Sequence, residues 1–316
     1  MQLLEFRAMG SRIRVILDSA SPTAAAHLSA VPHWFAEWEQ CLSRFRADSE
    51  LNRLNRSGGQ AVPVSPVLWD VLYQALSAAQ QSAGLVTPTL LSALEAAGYT
   101  ASFDKLHPEA NHGRHGQLSI AAGWVASHDW RAIECDPENG TVRIPAGMRL
   151  DLGGTAKGWA AHQTMQRLAA HGPVLVDAGG DIAVSGPQRD GSPWPIGISD
   201  PVDPARQPEL LLISGGGVAT SGRDYRRWQQ HGTWQHHLID PRTGQPAATD
   251  LLSATVVAAS VCAAEMAAKV TLLLGSNAAC DWVEARPELA ALLVREDGQM
   301  LHSRRLSAYL WHDERD

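Results

Sequence analysis

Residues 151–159 read DLGGTAKGW and place a carboxylate, three glycines and a lysine within nine positions. A short apolar run precedes this segment, and apolar residues recur at helical spacing over residues 159–170. The pattern predicts a strand, a glycine turn and a helix start, where backbone N–H groups can face an anion and Lys157 adds a positive charge. A tight turn with a surface lysine explains the segment equally well, and its spelling matches neither the Rossmann fingerprint nor the P-loop.

Composition limits the kinds of protein that the chain can be. Its 316 residues are 45% hydrophobic and 19% charged, enough for one large core or two closely joined domains. The formal net charge of −7 does not suggest the basic patch of a nucleic-acid interface, so we expect no nucleic-acid partner. The four cysteines are scattered with no CxxC pair, which favours free thiols in a reducing compartment over disulfides or a zinc site.

Charged residues also bear on the location of the protein. The first fifteen residues carry one glutamate and three arginines and do not read as a signal peptide, so we expect a cytoplasmic protein. The longest apolar stretch, residues 251–275, contains Glu265 and Lys269, so we expect a buried strand and helix rather than a membrane span. These two residues are four positions apart, which predicts an intrahelical ion pair that faces a polar site or is partly buried.

Conventional signals predict most of the regular structure. Residues 3–17 form a strand pair or one bent strand, with a bulge at Gly10 as the simplest interruption. Residues 22–42 form one helix, and residues 65–84 form another, capped by Ser65.

Irregular segments separate these elements. Phe45 lies between two helices, where a core position is favoured over a ring-stacking platform. Residues 187–208 read as irregular, and residues 107–119 read as a loop whose three histidines match no standard metal site.

Three later segments carry polar residues at turns and strand ends. Residues 174–186 predict two strands joined by a Gly-Gly turn, either a plain hairpin or a second loop that allows close approach of a ligand. Residues 217–222 predict a strand end with two hydroxyls. Residues 236–244 predict a fixed Asp-Pro turn preceded by two histidines. His237 can exchange a proton near neutral pH, although a structural histidine explains this segment as well.

Together these segments resemble the ApbE-type flavin transferases (FAD:protein FMN transferases). The resemblance implies an α+β fold of mixed or antiparallel sheets with packed helices, as one domain over residues 1–316 made of two closely joined lobes. The Asp-Leu-Gly-Gly-x-Ala-Lys-Gly block and the later His-x-x-Asp-Pro-x-Thr-Gly block make the resemblance specific. The matching segments are residues 9–11, 42–55, 151–159, 177–181, 219–227, 237–244 and 264–275.

The resemblance implies an enzyme that cleaves the pyrophosphate of FAD with Mg²⁺ assistance. It would pass FMN to a threonine hydroxyl of a target flavoprotein and release AMP. His237 would act as the general base, and the carbonyl of Ala156 and the carboxylate of Glu265 would be metal ligands. The positions implied to bind FAD are Met9, Phe45, Lys157, Gly179, Gly180, Asp181, Thr220 and Ser221.

The chain departs from the family pattern at three positions. Glu265 replaces an aspartate, His162 replaces another aspartate, and Lys269 stands where a small or hydroxyl residue is usual. An ammonium at position 269 could pair with Glu265 and fill the place of the cation. These departures leave open an alternative, an FAD-binding relative without transferase activity that serves a redox system. A third hypothesis is an unrelated soluble nucleotide-binding protein, which would not bind flavin.

Overall fold

The computed structural model describes residues 1–106, 129–203, 205–224, 226–230 and 232–312. It divides into two compact units. Unit 1 consists of Met1–Phe35, Lys157–Tyr225 and Thr249–Asp316, and unit 2 consists of Ala36–Ala156 and Arg226–Ala248. The histidine-rich loop predicted for residues 107–119 lies outside the described residues.

Helices and strands occur in both units. The helices are α1 (Ala24–Ser29), α2 (Val31–Leu42), α3 (Glu50–Asn55), α4 (Pro66–Gln81), α5 (Leu91–Ala96), α6 (Ala156–Leu168), α7 (Val261–Leu274) and α8 (Ser276–Glu284). The strands are β1 (Gln2–Ala8), β2 (Ser11–Leu17), β3 (Val62–Pro63), β4 (Glu134–Asp136), β5 (Thr141–Arg143), β6 (Val174–Ala178), β7 (Asp181–Val184), β8 (Trp194–Ile198), β9 (Glu209–Ile213), β10 (Gly216–Gly222), β11 (Arg227–Gln230), β12 (Thr233–His236), β13 (Ile239–Asp240), β14 (Gln245–Pro246), β15 (Leu251–Ala258), β16 (Ala290–Arg295) and β17 (Met300–His302).

An antiparallel sheet of eight strands, in the order β1-β2-β6-β7-β10-β15-β16-β17, forms the centre of unit 1. Val218, Val257 and Leu292 on one face join a buried cluster with Trp194 of β8 and Leu211 of β9. Helix α7 packs on β10 and β15. The predicted α+β fold with antiparallel sheets is therefore confirmed.

Two tight hairpins in this sheet follow the sequence signals. β1 and β2 are joined by Met9 and Gly10, whose φ angles are 51° and 63°. β6 and β7 are joined by Gly179 and Gly180, whose φ angles are 70° and 93°. Positive φ at both central residues suits the right-handed twist of paired strands. The expected bulge at Gly10 is therefore wrong, because this residue lies in the turn itself.

Capping serines define several helix starts. Ser65 accepts a hydrogen bond from the Leu68 N–H at 3.2 Å, as predicted, and Ser260 accepts one from the Ala263 N–H at 3.2 Å at the start of α7. The single helix predicted for residues 22–42 is wrong, because α1 ends at Ser29 and α2 begins at Val31. Pro32 has no N–H to continue the hydrogen bonds of the preceding helix.

Two other predictions need correction. Residues 187–208 are not irregular throughout, because Trp194–Ile198 forms β8 and pairs with β9. Helix α6 begins at Ala156, three residues before the predicted start, so Lys157 lies in the first helical turn rather than in the glycine turn.

Unit 2 contains α3, α4, α5 and small sheets. β3, β5 and β4 form a three-stranded sheet, and the β11–β12 and β13–β14 hairpins are separate. A buried cluster joins Leu94 and Tyr99 to Trp228 and Ile239. Among the described residues of the whole chain, no helix has both the length and the apolar character that a membrane crossing requires.

Replacing Gly217 with alanine should destabilise the protein. A Cβ atom at this position of β10 would collide with the backbone of Val261, at the start of α7. Because helix and strand backbones would have to separate, we expect the free energy of unfolding to fall by about 1–3 kcal/mol. Urea denaturation would measure this change. Gly186→Ala is the matched control, since a Cβ there meets no atom within 4 Å. Equal urea midpoints for the two variants would contradict the prediction.

Candidate functional site

Lys157 and Asp181 form a buried ion pair in unit 1. Lys157 lies in the first turn of α6, and Asp181 begins β7 directly after the Gly-Gly turn. The Lys157 ammonium contacts the Asp181 carboxylate, and the two side chains are 14% and 4% exposed. The structure thus brings together two predicted site residues that are 24 positions apart in the chain.

The Gly-Gly turn lies at the same end of the sheet as the β1–β2 turn. A Cβ atom on Gly179 would lie 2.7 Å from the Cβ and Oγ of Ser11, so only a glycine allows this approach. The carbonyl of Gly180 accepts a hydrogen bond from the Thr220 N–H at 3.1 Å. Met9 is two residues before Ser11. The structure therefore gathers Met9, Gly179, Gly180 and Thr220 at one end of the sheet.

The two hydroxyls of β10 lie on different faces of the sheet. Asp181 is paired with Ala219. Because successive side chains alternate between faces, Ser221 shares the face of Asp181 and Thr220 does not. The Thr220 hydroxyl lies 2.9 Å from the Thr255 hydroxyl. Only Ser221 of this predicted pair therefore shares a face with Asp181.

Glu265 is a buried carboxylate in α7. Its side chain is 3% exposed, and Oε1 lies 3.0 Å from Nζ of Lys269 one turn later. Its other oxygen, Oε2, lies so close to Gly158 in α6 that a Cβ atom there would collide with it. Burial raises the pKa of Glu265 and nearby Asp181 raises it further, whereas Lys269 and Lys157 oppose that rise. The predicted intrahelical ion pair is thus present and partly buried.

Asp177 is an acidic group whose separate role the sequence did not indicate. Its Oδ1 accepts the Gly180 N–H at 2.8 Å, which fixes the Gly-Gly turn. Burial raises the pKa of Asp177, and the charge of Asp181 adds to that effect. The signal that could have identified it is its position two residues before the glycine pair, at the end of an apolar strand.

Phe45 lies in unit 2 and is not a core residue. Its side chain is 42% exposed, so the favoured core interpretation is wrong. Its ring centroid lies 5.7 Å from that of Tyr99, and the Arg44 guanidinium lies 4.1 Å from the Phe45 ring centroid. The spacing of apolar residues along the chain could not show whether the Phe45 ring, in the segment between two helices, faces the core or the solvent. An exposed ring held by an arginine and a tyrosine suits the stacking interpretation.

Arg44 is a residue of unit 2 whose role was not predicted from the sequence. Its Nε donates to a carboxylate oxygen of Asp151 at 2.7 Å, and its Nη2 donates to the carbonyl of Tyr99 at 2.8 Å. The side chains of Arg44 and Asp151 are only 6% and 15% exposed. Asp151, the first residue of the quoted segment, therefore acts by holding Arg44.

The two adjacent histidines differ in environment. His236 is buried, and its Nε2 lies 3.2 Å from the Ala247 carbonyl oxygen, so it is the structural member. His237 is half-buried and follows β12 directly. The turn after it is fixed as predicted, because the Gly244 N–H donates to the Asp240 carbonyl at 2.7 Å.

The charges around Glu265 do not fit a divalent cation. A magnesium site is built from oxygen ligands, but Oε1 of Glu265 already faces an ammonium and Asp181 already pairs with Lys157. In the part of the chain that the structure describes, no group of three or more histidine, cysteine, aspartate or glutamate side chains could hold a metal ion. Ala156, the other predicted ligand, is the first residue of α6.

Asp177→Asn should change stability in a pH-dependent way. A carboxyl with a raised pKa in the folded state opposes folding when it ionises, and this cost is absent below its unfolded pKa. We therefore expect the variant to gain stability over the wild type at pH 7, and the gain to shrink as the pH falls through the raised pKa. Urea denaturation from pH 4 to pH 7 tests this. Asp190→Asn should show the opposite trend, since Ser192 lowers the pKa of Asp190. A pH-independent difference for Asp177→Asn would contradict the prediction.

Comparisons with known proteins find similarity to one family over nearly the whole chain. The sequence profile of the ApbE family matches residues 9–293. An FAD:protein FMN transferase of Treponema pallidum is 31% identical, with 92% of this chain and 83% of the relative covered. One from Salmonella typhimurium is 26% identical, with 94% and 85% covered.

Solved structures share the fold. The crystal structure of the ApbE protein of Thermotoga maritima matches with a TM-score of 0.86 at 24% identity, covering 98% of this chain and 99% of that one. The apo form of the flavinyl transferase ApbE of Pseudomonas stutzeri matches with a TM-score of 0.80 at 23% identity, covering 99% and 97%. On the extent of the profile match and of the Treponema similarity, this chain belongs to the ApbE family.

Proposed function

We propose that the chain transfers the FMN part of FAD to a threonine hydroxyl of a target flavoprotein and releases AMP. The observation that carries the proposal is the Lys157–Asp181 pair, which joins the first turn of α6 to the Gly-Gly turn. A lysine in the first turn of a helix is suited to a pyrophosphate, because the positive end of the helix dipole adds to the charge of the ammonium. The names of the family relatives supply the reaction class.

The proposed step forms one bond and breaks one. The threonine oxygen bonds to the phosphorus of the FMN half, and the bond from that phosphorus to the bridging oxygen breaks. The bridging oxygen keeps the electron pair and leaves as part of AMP, while the threonine proton passes to a base. Negative charge grows on the leaving phosphate, and the ammonium of Lys157, exchanging Asp181 for a phosphate oxygen, would stabilise it.

The proposal assigns the proton-accepting role to His237, which rests on the family motif. A threonine hydroxyl is a poor nucleophile until a base takes its proton. His236 is buried beside the Ala247 carbonyl, whereas His237 is half-buried, and this greater exposure favours His237 for the role. Phe45, exposed and flanked by Arg44 and Tyr99, is proposed as a stacking surface for a ring of FAD.

A second candidate is an FAD-binding protein without transfer. The Glu265–Lys269 pair favours it, because the ion pair stands where the family resemblance implies a metal. The two candidates differ in whether the pyrophosphate is cleaved. The transfer step described above involves residues of the chain and no magnesium ion.

Incubation with FAD separates the two candidates. The purified chain is mixed with FAD and a protein bearing an acceptor threonine, with EDTA in one arm and Mg²⁺ in another. We expect AMP release together with a fluorescent, covalently flavinylated acceptor, both measured against an acceptor in which the threonine is replaced by alanine. Bound but intact FAD in every arm would contradict transfer and support the second candidate. No flavin binding at all would contradict both.

His237→Ala should reduce transfer by about 10²-fold or more, because the threonine hydroxyl loses its base. FAD binding, followed by quenching of flavin fluorescence, should stay within a few-fold of the wild-type value. His302→Ala is the control, since that imidazole lies on β17 and pairs with Glu209. Wild-type transfer rates in His237→Ala would remove His237 from the mechanism.

A further inference from the structure

The strongest unexplained feature of unit 1 is a cluster of four charges, Lys157, Asp181, Glu265 and Lys269. Two carboxylates and two ammoniums are present, and each carboxylate has an ammonium partner. Such pairs survive burial only when each charge is compensated by its neighbour. The charges of these four residues sum to zero, so the four offer no net negative charge to a cation, and the nearby Asp177 carboxylate accepts the Gly180 N–H.

Glu265 is held in place from two sides. Its Oε1 faces Lys269 at 3.0 Å, and its Oε2 lies against Gly158, where any larger side chain would collide with it. Turning away from Lys269 would leave this buried carboxylate without its charge partner. A divalent cation ligated by Glu265 would lie within a few ångströms of the Lys269 ammonium, and like charges at such a distance repel strongly at low dielectric constant.

Lys269 is placed to act on a ligand as well as on Glu265. Its side chain is 16% exposed, whereas that of Glu265 is 3% exposed, so the ammonium is the more accessible partner. A lysine ammonium has three N–H donors, and Glu265 accepts two of them, through Oε1 and, at 3.4 Å, through its backbone carbonyl. The remaining donor can bind a phosphate oxygen as a compact positive charge.

We propose that the ammonium of Lys269 takes the place of a divalent cation, so that this chain binds the pyrophosphate of FAD without a metal ion. The inference rests on the proposed function for the identity of the ligand. It explains why an acid and a base stand together at positions 265 and 269. It assigns to Lys269 a charge-compensating role toward the pyrophosphate that Lys157 also faces.

Manganese binding tests the inference without relying on activity. Mn²⁺ is titrated into the full chain and followed by electron paramagnetic resonance, in the wild type, Lys269→Thr and Lys269→Met. We expect no stoichiometric binding by the wild type, and at least tenfold tighter binding by Lys269→Thr, which offers a hydroxyl beside Glu265. Lys269→Met is the matched control, because it removes the charge without adding an oxygen ligand. Stoichiometric Mn²⁺ binding by the wild type, or no gain in Lys269→Thr, would overturn the inference.

Two further measurements keep the test decisive. Removing Lys269 leaves Glu265 buried without its partner, so Lys269→Thr should melt at a lower temperature and recover in Mn²⁺, whereas Lys269→Met should not recover. If Lys269→Thr does not fold, the Mn²⁺ titration of the wild type alone decides whether the chain has a metal site.

Wild-type FAD affinity should be equal in EDTA and in Mg²⁺. FAD binding that requires Mg²⁺ would overturn the inference alone, whereas absence of FAD binding in both would overturn the proposed function too.

Discussion

The burial of Glu265 between two helices is the constraint on which the arrangement of unit 1 depends. Its Oε2 lies so close to Gly158 that a Cβ atom there would collide with it, so the glycine allows this close approach of α6 to the Glu265 carboxylate of α7. That approach places Lys157, one residue earlier, beside Asp181 at the end of the Gly-Gly turn. A carboxylate so deeply buried requires compensation, and Lys269 supplies it from the same helix.

In unit 2, one arginine compensates the charge of a partly buried carboxylate in a comparable way. Arg44 binds Asp151, donates to the Tyr99 carbonyl and lies against the ring of Phe45. A planar guanidinium can satisfy a carboxylate and stack on aromatic rings at once, which a lysine could not do. The irregular segment after α2 is thereby fixed, and Phe45 is presented to solvent rather than to the core.

Local signals predicted most of the fold, and contacts between distant residues explain what they missed. The Ser65 cap and the Gly179-Gly180 turn are correct because each depends on a few adjacent residues. Strand β8 was missed because its proline and glycine conceal the alternation, and it exists through pairing with β9. The Lys157–Asp181 and Arg44–Asp151 pairs join residues far apart in sequence, so no spacing rule could reveal them. The family resemblance implied Lys157 and Asp181 as site positions but not the contact between them, whereas the four-residue spacing predicted the Glu265–Lys269 pair.

The substitutions at positions 265 and 269 are best understood as one physical change. A glutamate followed by a lysine four residues later is the favourable orientation for an ion pair on a helix. An aspartate at position 265 would be one methylene shorter and would leave the ammonium of Lys269 farther from its carboxylate. Conversely, a small residue at 269 would leave Glu265 buried without compensation unless a cation arrived from solvent. The Glu265–Lys269 pair is therefore neutral without a metal ion. Lys269 of α7 already supplies the positive charge that a cation would bring.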